Sequence, residues 1–246
     1  MAEFRFDEET HRYFLEDREL PSVTRVIGQL HKWGLDQWHA NEPVDYLAEV
    51  MRDMVRGETH PDLHDIDDYA AQAKALPKKI ARDAADIGKE VHKWIADFLR
   101  NQPPTEPSCE QVKRACDGFL RWWHESPGGV PEVIAVEEPV YHPTYLYAGT
   151  PDFIIRRDKF LYVVDIKTGN AFREPELLMQ LAAYAEAWDI MCADYETKWI
   201  EGCIGVRLDK KTGLVYERNY TDVYEDGVPF SMFLHLLEFY NEAHAK

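Results

Sequence analysis

The sequence predicts an α/β fold: a mixed central sheet flanked by helices, with an N-terminal hairpin and helical additions. Three observations carry this. An apolar period of 3.6 residues runs through residues 77–100, whereas short strand-like runs cluster between 131 and 168. The segments follow the order helices, a block of strands, a helix, two strands and a final helix. No Gly/Ser-rich or Pro-rich linker divides the 246 residues. One domain is therefore expected, with hairpin and helices over 1–130, the sheet over 131–220 and a closing helix over 221–246.

Residues 4–20 alternate and contain DEET and EDRE, which reads as a β-hairpin. In LPSVTRVIGQL, Ser22 is an N-cap candidate for a helix from Val23 to Leu30. Residues 36–56 read as further helix, and the acidic run 57–70 as a solvated connector. The strongest helix covers 77–100. Pro77 stands in its first turn, and Ile80, Ala84, Ile87, Val91, Ile95 and Phe98 share a face. NQPPTEPS is a loop, and 109–125 is another helix that ends before SPGGVP. Strand candidates follow at 131–141, 148–156 and 160–168. A helix runs from Pro175 to about Ala193. Strands 199–208 and 214–220 flank the turn DKKTG, and a last helix covers 229–244. No internal repeat is visible.

Composition bounds the function classes. With 45% hydrophobic residues, 13 Tyr, 11 Phe and 7 Trp, the chain can bury a sizeable core. No apolar run approaches the ~18 residues needed to span a membrane, and MAEFRFDEET lacks the basic and apolar regions of a signal peptide. A soluble cytoplasmic protein is expected. Cys109, Cys116, Cys192 and Cys203 are widely spaced without a CxxC pair. That argues against a zinc ribbon or a disulfide framework and for buried free thiols. The net charge of −17 argues against nucleic-acid binding through the overall field. Any such binding must rest on local basic patches and on metal ions.

The informative stretch is YAGTPDFIIRRDKFLYVVDIKTG, residues 147–169, where two acids sit inside strand-like segments. With Asp158-Lys159 as a two-residue turn, Arg157 pairs with Phe160, and counting back sets Asp152 opposite Asp165. Directly opposed residues share a face with Cβ atoms about 4.5–5.5 Å apart. Two carboxylates so placed repel unless something positive sits between them. Lys167 lies two residues beyond Asp165 and shares its face, while Tyr162, Val164 and Ile166 form the other, packing face. Such oxygen ligands suit Mg²⁺ or Mn²⁺. A bound divalent ion would hold a phosphate oxygen and acidify a water. Lys167 would orient or deprotonate that water. This is what metal-assisted phosphodiester hydrolysis requires. The bland alternative is two strand-end acids in solvent with Lys167 paired to one of them.

These residues resemble the PD-(D/E)xK nucleases, with Pro151-Asp152 and Asp165-x-Lys167 as the signature. The resemblance implies a restriction-endonuclease-like core in which Asp152, Asp165 and the Ile166 position bind metal and Lys167 serves catalysis. Gln180 and Tyr184, at i and i+4 in LLMQLAAYAEAW, resemble the QxxxY motif of the RecB-like branch. That branch contains exonucleases, and there these two residues line the site and position the lysine or the phosphate. In GKEVH, His92 sits at the boundary between the apolar face and the basic stripe Lys78, Arg82, Lys89 and Lys93. It is similar to the RecB-like histidine that contributes to metal binding. An imidazole among carboxylates suits Mn²⁺ better than a pure Mg²⁺ site. In VIAVEEPVY, Glu137 and Glu138 point to opposite faces, and the resemblance to the family's first acidic motif favours Glu137. LPSVTRVI resembles the opening of phage RecB-like and mitochondrial genome maintenance exonucleases. Ser22 and Thr24 at a helix N-terminus could hold a phosphate with help from Arg25; simple capping explains them equally well.

The resemblance spans most of residues 20–190 and implies a DNA exonuclease, bacterial or phage-encoded, that leaves 5′-phosphates and acts in recombination, repair or phage DNA processing. It implies one or two Mg²⁺ or Mn²⁺ ions. Partners would be DNA strand ends, single strands among them, and a single-strand annealing or recombination protein. Contacts to DNA are expected from the basic stripe, from Thr168, and from Arg52 and Arg56. Some RecB-like relatives hold an iron–sulfur cluster on four Cys, three of them clustered near the C-terminus. Cys192 and Cys203 stand alone here, so no cluster is expected. A charge of −17 fits a short grip on a strand end, with a shallow salt dependence. The competing reading is a catalytically silent nuclease fold whose acidity serves protein or DNA interaction.

Overall fold

The computed structural model describes residues 3–30, 33–57, 63–192 and 199–245. In chain order the elements begin with β1 (Phe4–Asp7), β2 (Arg12–Leu15), β3 (Arg18–Leu20) and α1 (Val23–Ile27). Next come α2 (Trp33–Arg56), α3 (Leu63–Leu99) and α4 (Glu110–His124). The strands β4 (Glu132–Val136), β5 (Val140–His142), β6 (Tyr147–Gly149), β7 (Phe153–Arg157) and β8 (Phe160–Lys167) form the central block. Then follow α5 (Glu174–Met191), β9 (Ile200–Leu208), β10 (Val215–Asn219), α6 (Thr221–Glu225) and α7 (Val228–His244). The chain divides into two compact units, Met1–Gln29 with Gly88–Lys246, and Leu30–Ile87, and α3 runs through the boundary at Gly88. Among the described residues no helix is long and apolar enough to cross a membrane.

The larger unit is a mixed α/β fold. Its five-stranded sheet has the order β10-β9-β8-β7-β4, in which only β8 and β9 are parallel. The parallel pair requires a crossover, and α5 supplies it. Helices cover both faces, so β8 is buried on both: Val163, Val164, Asp165 and Ile166 are all at most 2% exposed. On one face, Phe153 of β7 meets Phe119 and Trp123 of α4 edge-on, and Phe98 of α3 packs behind them. Edge-to-face aromatic pairs of this kind add about 0.5–1.5 kcal/mol each beyond their buried area. On the other face lies α5, which is apolar on nearly every side because it packs against both the sheet and α7. The N-terminal strands form their own sheet, where Tyr13 and Leu20 bury against Ala148 with Phe4 and Phe6 around them.

The smaller unit comprises α2 and the first part of α3. Tyr46 hydrogen-bonds Gln72 at 2.8 Å, and Ala73 is buried.

Several sequence expectations are corrected. Residues 4–20 form three strands, since Arg18–Leu20 pairs back onto β2. The helix capped by Ser22 ends at Ile27, with Gly28 as its C-cap. Pro77 lies within α3, and the part of the acidic run from Leu63 onward is already helical. The alanine-rich segment between Ala70 and Leu76 favours the helix strongly enough to carry it through the proline. Residues 131–141 and 148–156 are each two strands. Pro139 and Pro151 have no amide to donate to a ladder, and Glu137 adopts a positive φ of 50°. The strand-pairing register shifts between Val133 and Ala135. The closing helix expected over 221–246 is split into α6 and α7 at Gly227, which takes a φ of 67°. Cys109 is exposed, Cys192 half-buried, and Cys116 and Cys203 buried. The expected end of α5 near Ala193 lies outside the described residues.

Candidate metal-dependent active site

The β7–β8 hairpin has the register expected from its turn. Arg157 pairs with Phe160 and Phe153 with Val164, so the next residue back, Asp152, stands level with Asp165. Asp158 takes a φ of 58° at the turn, a conformation aspartate tolerates because its short side chain hydrogen-bonds locally. Asp152 itself precedes the strand. Its Oδ2 accepts the Ile166 amide at 2.6 Å, and its Oδ1 accepts His92 Nδ1–H at 3.0 Å.

Around Asp165 the polar groups interlock. Lys167 Nζ is 2.6 Å from Asp165 Oδ2 and donates to Gln180 Oε1 at 3.1 Å. Gln180 Nε2 donates to Asp165 Oδ1 at 2.8 Å and to the Tyr184 hydroxyl at 3.2 Å. Gln180 and Tyr184 are one turn apart on α5, so a single helix face delivers both. Asp165 Oδ2 is buried with the Lys167 ammonium as its neighbour.

Two glycines allow this approach. At Gly149 a Cβ would lie 2.4 Å from the Tyr184 ring. At Gly88, one turn before His92, it would lie 3.2 Å from Thr168 Oγ1. The close fit of α3 against the end of β8 explains a glycine at that position of the Gly-x-x-x-His segment.

The electrostatics follow from burial and proximity. Burial pushes the Asp165 carboxyl up to about 6, and Asp152 pushes the same way against Lys167. Burial also opposes ionisation of Asp152, yet His92, Lys167 and the Ile166 amide hold its carboxyl below the usual range. Burial disfavours charge on His92, but Asp152 and, more weakly, Asp165 outweigh it and raise the imidazole to about 9. Lys167 is raised despite its burial because Asp165 and Asp152 stand beside it. Burial and the Asp165 charge push the Tyr184 phenol well above its ordinary value.

Beside Asp152 lies a cavity of about 10 Å³ lined by His92, Glu137, Ile166 and the apolar Ile95 and Phe153. It has room for roughly one water-sized occupant. Glu137 lines it and Glu138 is exposed. Glu137 donates its backbone amide to the Asp152 carbonyl at 2.9 Å, and its carboxylate is 3.1 Å from Arg100. Arg100 also donates to the Val136 carbonyl. No local pattern points to Arg100, which directly follows the last residue of α3.

The remaining candidates are more dispersed. Ser22 Oγ accepts the Arg25 amide as an N-cap and lies 3.3 Å from Thr24 Oγ1, while Arg25 is engaged by Glu19 and Tyr240. Ser22 is bridged to Ala148, four residues before Asp152. Lys78, Arg82, Lys89 and Lys93 are exposed as expected, and Lys93 pairs with Asp97 at 2.7 Å. Lys78 and Arg82 fall in the smaller unit, as do the exposed Arg52 and Arg56, the latter paired with Asp53.

Among the described residues no three His, Cys, Asp or Glu side chains converge in metal-binding geometry. The donor set nonetheless suits a hard divalent ion. It offers the buried Asp165 carboxylate, the half-buried Asp152 carboxylate and an imidazole at its edge. Lys167 compensates Asp165, and His92 compensates Asp152. No family model and no curated protein matches the chain. Among solved structures it is similar to an alkaline exonuclease (LHK-Exo) from Laribacter hongkongensis, with 16% identity and a TM-score of 0.34 over 65% of this chain and 87% of that one. It is also similar to LHK-Exo in complex with dAMP, with 17% identity and a TM-score of 0.32 over the same shares.

Proposed function

We propose that the protein is a divalent-metal-dependent deoxyribonuclease of the PD-(D/E)xK, RecB-like type, acting as an exonuclease that leaves 5′-phosphates. One observation carries this reading. The half-buried Asp152 and the buried Asp165 stand level across a hairpin, with Lys167 two residues beyond the second acid and paired to it. Lys167 and His92 already compensate part of this charge, and on this reading a divalent ion compensates the rest.

Asp152, Asp165 and His92 would hold one or two Mg²⁺ or Mn²⁺ ions, with Glu137 and the Ile166 carbonyl at the edge. When bound, such an ion supplies Lewis-acid activation of the phosphate and of a water. The chain's own residues do the rest. Asp152 and Asp165 keep Lys167 charged, so it orients the attacking water and stabilises charge on the phosphorane. Gln180 fixes both Lys167 and Asp165, and Tyr184, kept protonated, fixes Gln180. The substrate proposed is DNA at a strand end, held in part by Thr168, by Ser22, Thr24 and Arg25, and by Lys89 and Lys93 of α3.

An end-labelled linear strand incubated with Mn²⁺ beside a closed circle tests this. Loss of the linear strand with the circle intact is the expected result. Cutting of the circle makes the enzyme an endonuclease, and survival of both sinks the nuclease reading in favour of a silent interaction module.

A further inference from the structure

Next to the acid pair, the same sheet face carries a second feature. Arg207 of β9 is the register partner of Lys167 on β8, and Tyr216 of β10 is the partner of Arg207. Paired residues share a face and adjacent strands are about 4.8 Å apart. Arg207 therefore stands one strand from Lys167, and Tyr216 one strand further. Arg207 and Tyr216, together with Phe172 and Arg218, line a cleft of about 630 Å³.

The charges in this cleft are not equivalent. Arg218 is paired with Glu174. Glu217 is held by both guanidinium nitrogens of Arg157, at 2.9 and 3.1 Å, and by Trp122. Arg207 is different. Its guanidinium lies 4.0 Å over the Tyr216 ring, with 12% of the side chain exposed. Its polar contacts among the described residues are the Gly169 carbonyl at 3.5 Å and Asp209 at 3.9 Å. Both are at the outer limit of a useful interaction. An arginine with five donors, fixed on an aromatic ring and weakly satisfied, is prepared for an anion. Tyr216 is 41% exposed and so offers ring surface beside that anion position.

We propose that the Arg207–Tyr216 cleft is a subsite for single-stranded nucleic acid, in which Arg207 takes a backbone phosphate and Tyr216 stacks on an adjoining base. The proposal rests on the nuclease reading in one respect: the strand held here is the one whose neighbouring phosphate meets Lys167. The combination of a guanidinium and a ring is what sequence-tolerant strand binding uses.

The test is fluorescence anisotropy of a labelled oligothymidylate in EDTA, where no hydrolysis intervenes, with the full chain, Arg207→Ala and Tyr216→Thr. Arg207→Ala is expected to weaken binding about tenfold and to lower the slope of log affinity against log salt by about 0.7, the loss of one phosphate contact on a single strand. Tyr216→Thr, at a half-exposed strand position, is expected to weaken binding about fivefold or more with the slope unchanged. It decides the matter if Arg207→Ala does not fold. Wild-type affinity in the folded variants overturns the proposal. A wild type that binds in EDTA and loses affinity in the variants, yet leaves DNA intact with Mn²⁺, supports the cleft and sinks the nuclease reading. Cleavage by all three proteins with equal affinity does the reverse.

Discussion

Asp152 Oδ2 accepts the Ile166 amide at 2.6 Å, so the first acid of the hairpin is fastened to the residue directly after the second acid. This bond fixes the separation of the two carboxylates independently of any ion. It also gives Asp152 a structural duty distinct from its proposed catalytic one, and the two can be separated by substitution. Asp152→Asn retains an acceptor for the amide and loses the charge. It is expected to abolish DNA hydrolysis while unfolding within about 1 kcal/mol of wild type. Asp152→Ala leaves the amide unsatisfied and is expected to cost about 1–3 kcal/mol more. Urea unfolding of both variants checks this.

Gln180 connects Lys167, Asp165 and Tyr184, its amide nitrogen donating to the carboxylate while its oxygen accepts from the ammonium. Gln180→Glu replaces the donor facing Asp165 with a second carboxylate. It is expected to raise the Asp165 carboxyl above its value of about 6 and to move the acid limb of the pH–rate profile to higher pH. Gln180→Ala is expected to lower kcat about tenfold or more, the scale of lost positioning, without that movement. Steady-state kinetics across pH for the two variants separates these effects.

The raised His92 imidazole has a consequence for stability in EDTA. A group with a higher pKa in the folded state holds its proton more tightly there. Its stabilisation is fully present below the ordinary value of 6.5 and is lost as pH rises toward about 9. Asp165 acts in the same sense over a lower window, from about 3.8 to about 6. The melting temperature of wild type is therefore expected to fall between pH 6.5 and 9 more steeply than that of His92→Gln. Parallel curves would remove the His92–Asp152 pair from the account.

Gly88 sits where a Cβ would press on the Thr168 hydroxyl at 3.2 Å. Gly88→Ala gains helix propensity of about 1 kcal/mol and sets that gain against the clash. Thr168→Ala removes the clashing atom. The double variant is expected to be more stable than the sum of the singles by at least about 0.5 kcal/mol, and strict additivity would mean that the helix shifts instead.

Much of the site was legible because the β period is two. A two-residue turn at Asp158-Lys159 dictates the partner of every residue behind it, so the level placement of Asp152 and Asp165 follows from counting. Gln180 and Tyr184 share a helix face by spacing alone. Proximity across the fold was less legible. No local pattern announces that Gly149 must admit the Tyr184 ring, that Arg100 reaches Glu137, or that Arg207 stands beside Lys167, because each depends on the approach of elements distant in sequence. The residues flanking Pro139 and Pro151 favour β structure on either side and so suggest continuous strands, whereas the missing proline amides divide the ladder. The start of α3 departs from the sequence expectation for the opposite reason: Pro77 suggests a boundary that its helix-forming neighbours override.

The most direct measurement is release of nucleotides from end-labelled DNA by wild type, Asp165→Asn and Lys167→Ala, each with Mn²⁺, with Mg²⁺ and with EDTA. The account predicts release by wild type with either metal, none in EDTA, and a loss of at least about a hundredfold in both variants, the scale seen when one charge-stabilising group is removed. Equal release by all three proteins, or release that persists in EDTA, would contradict it.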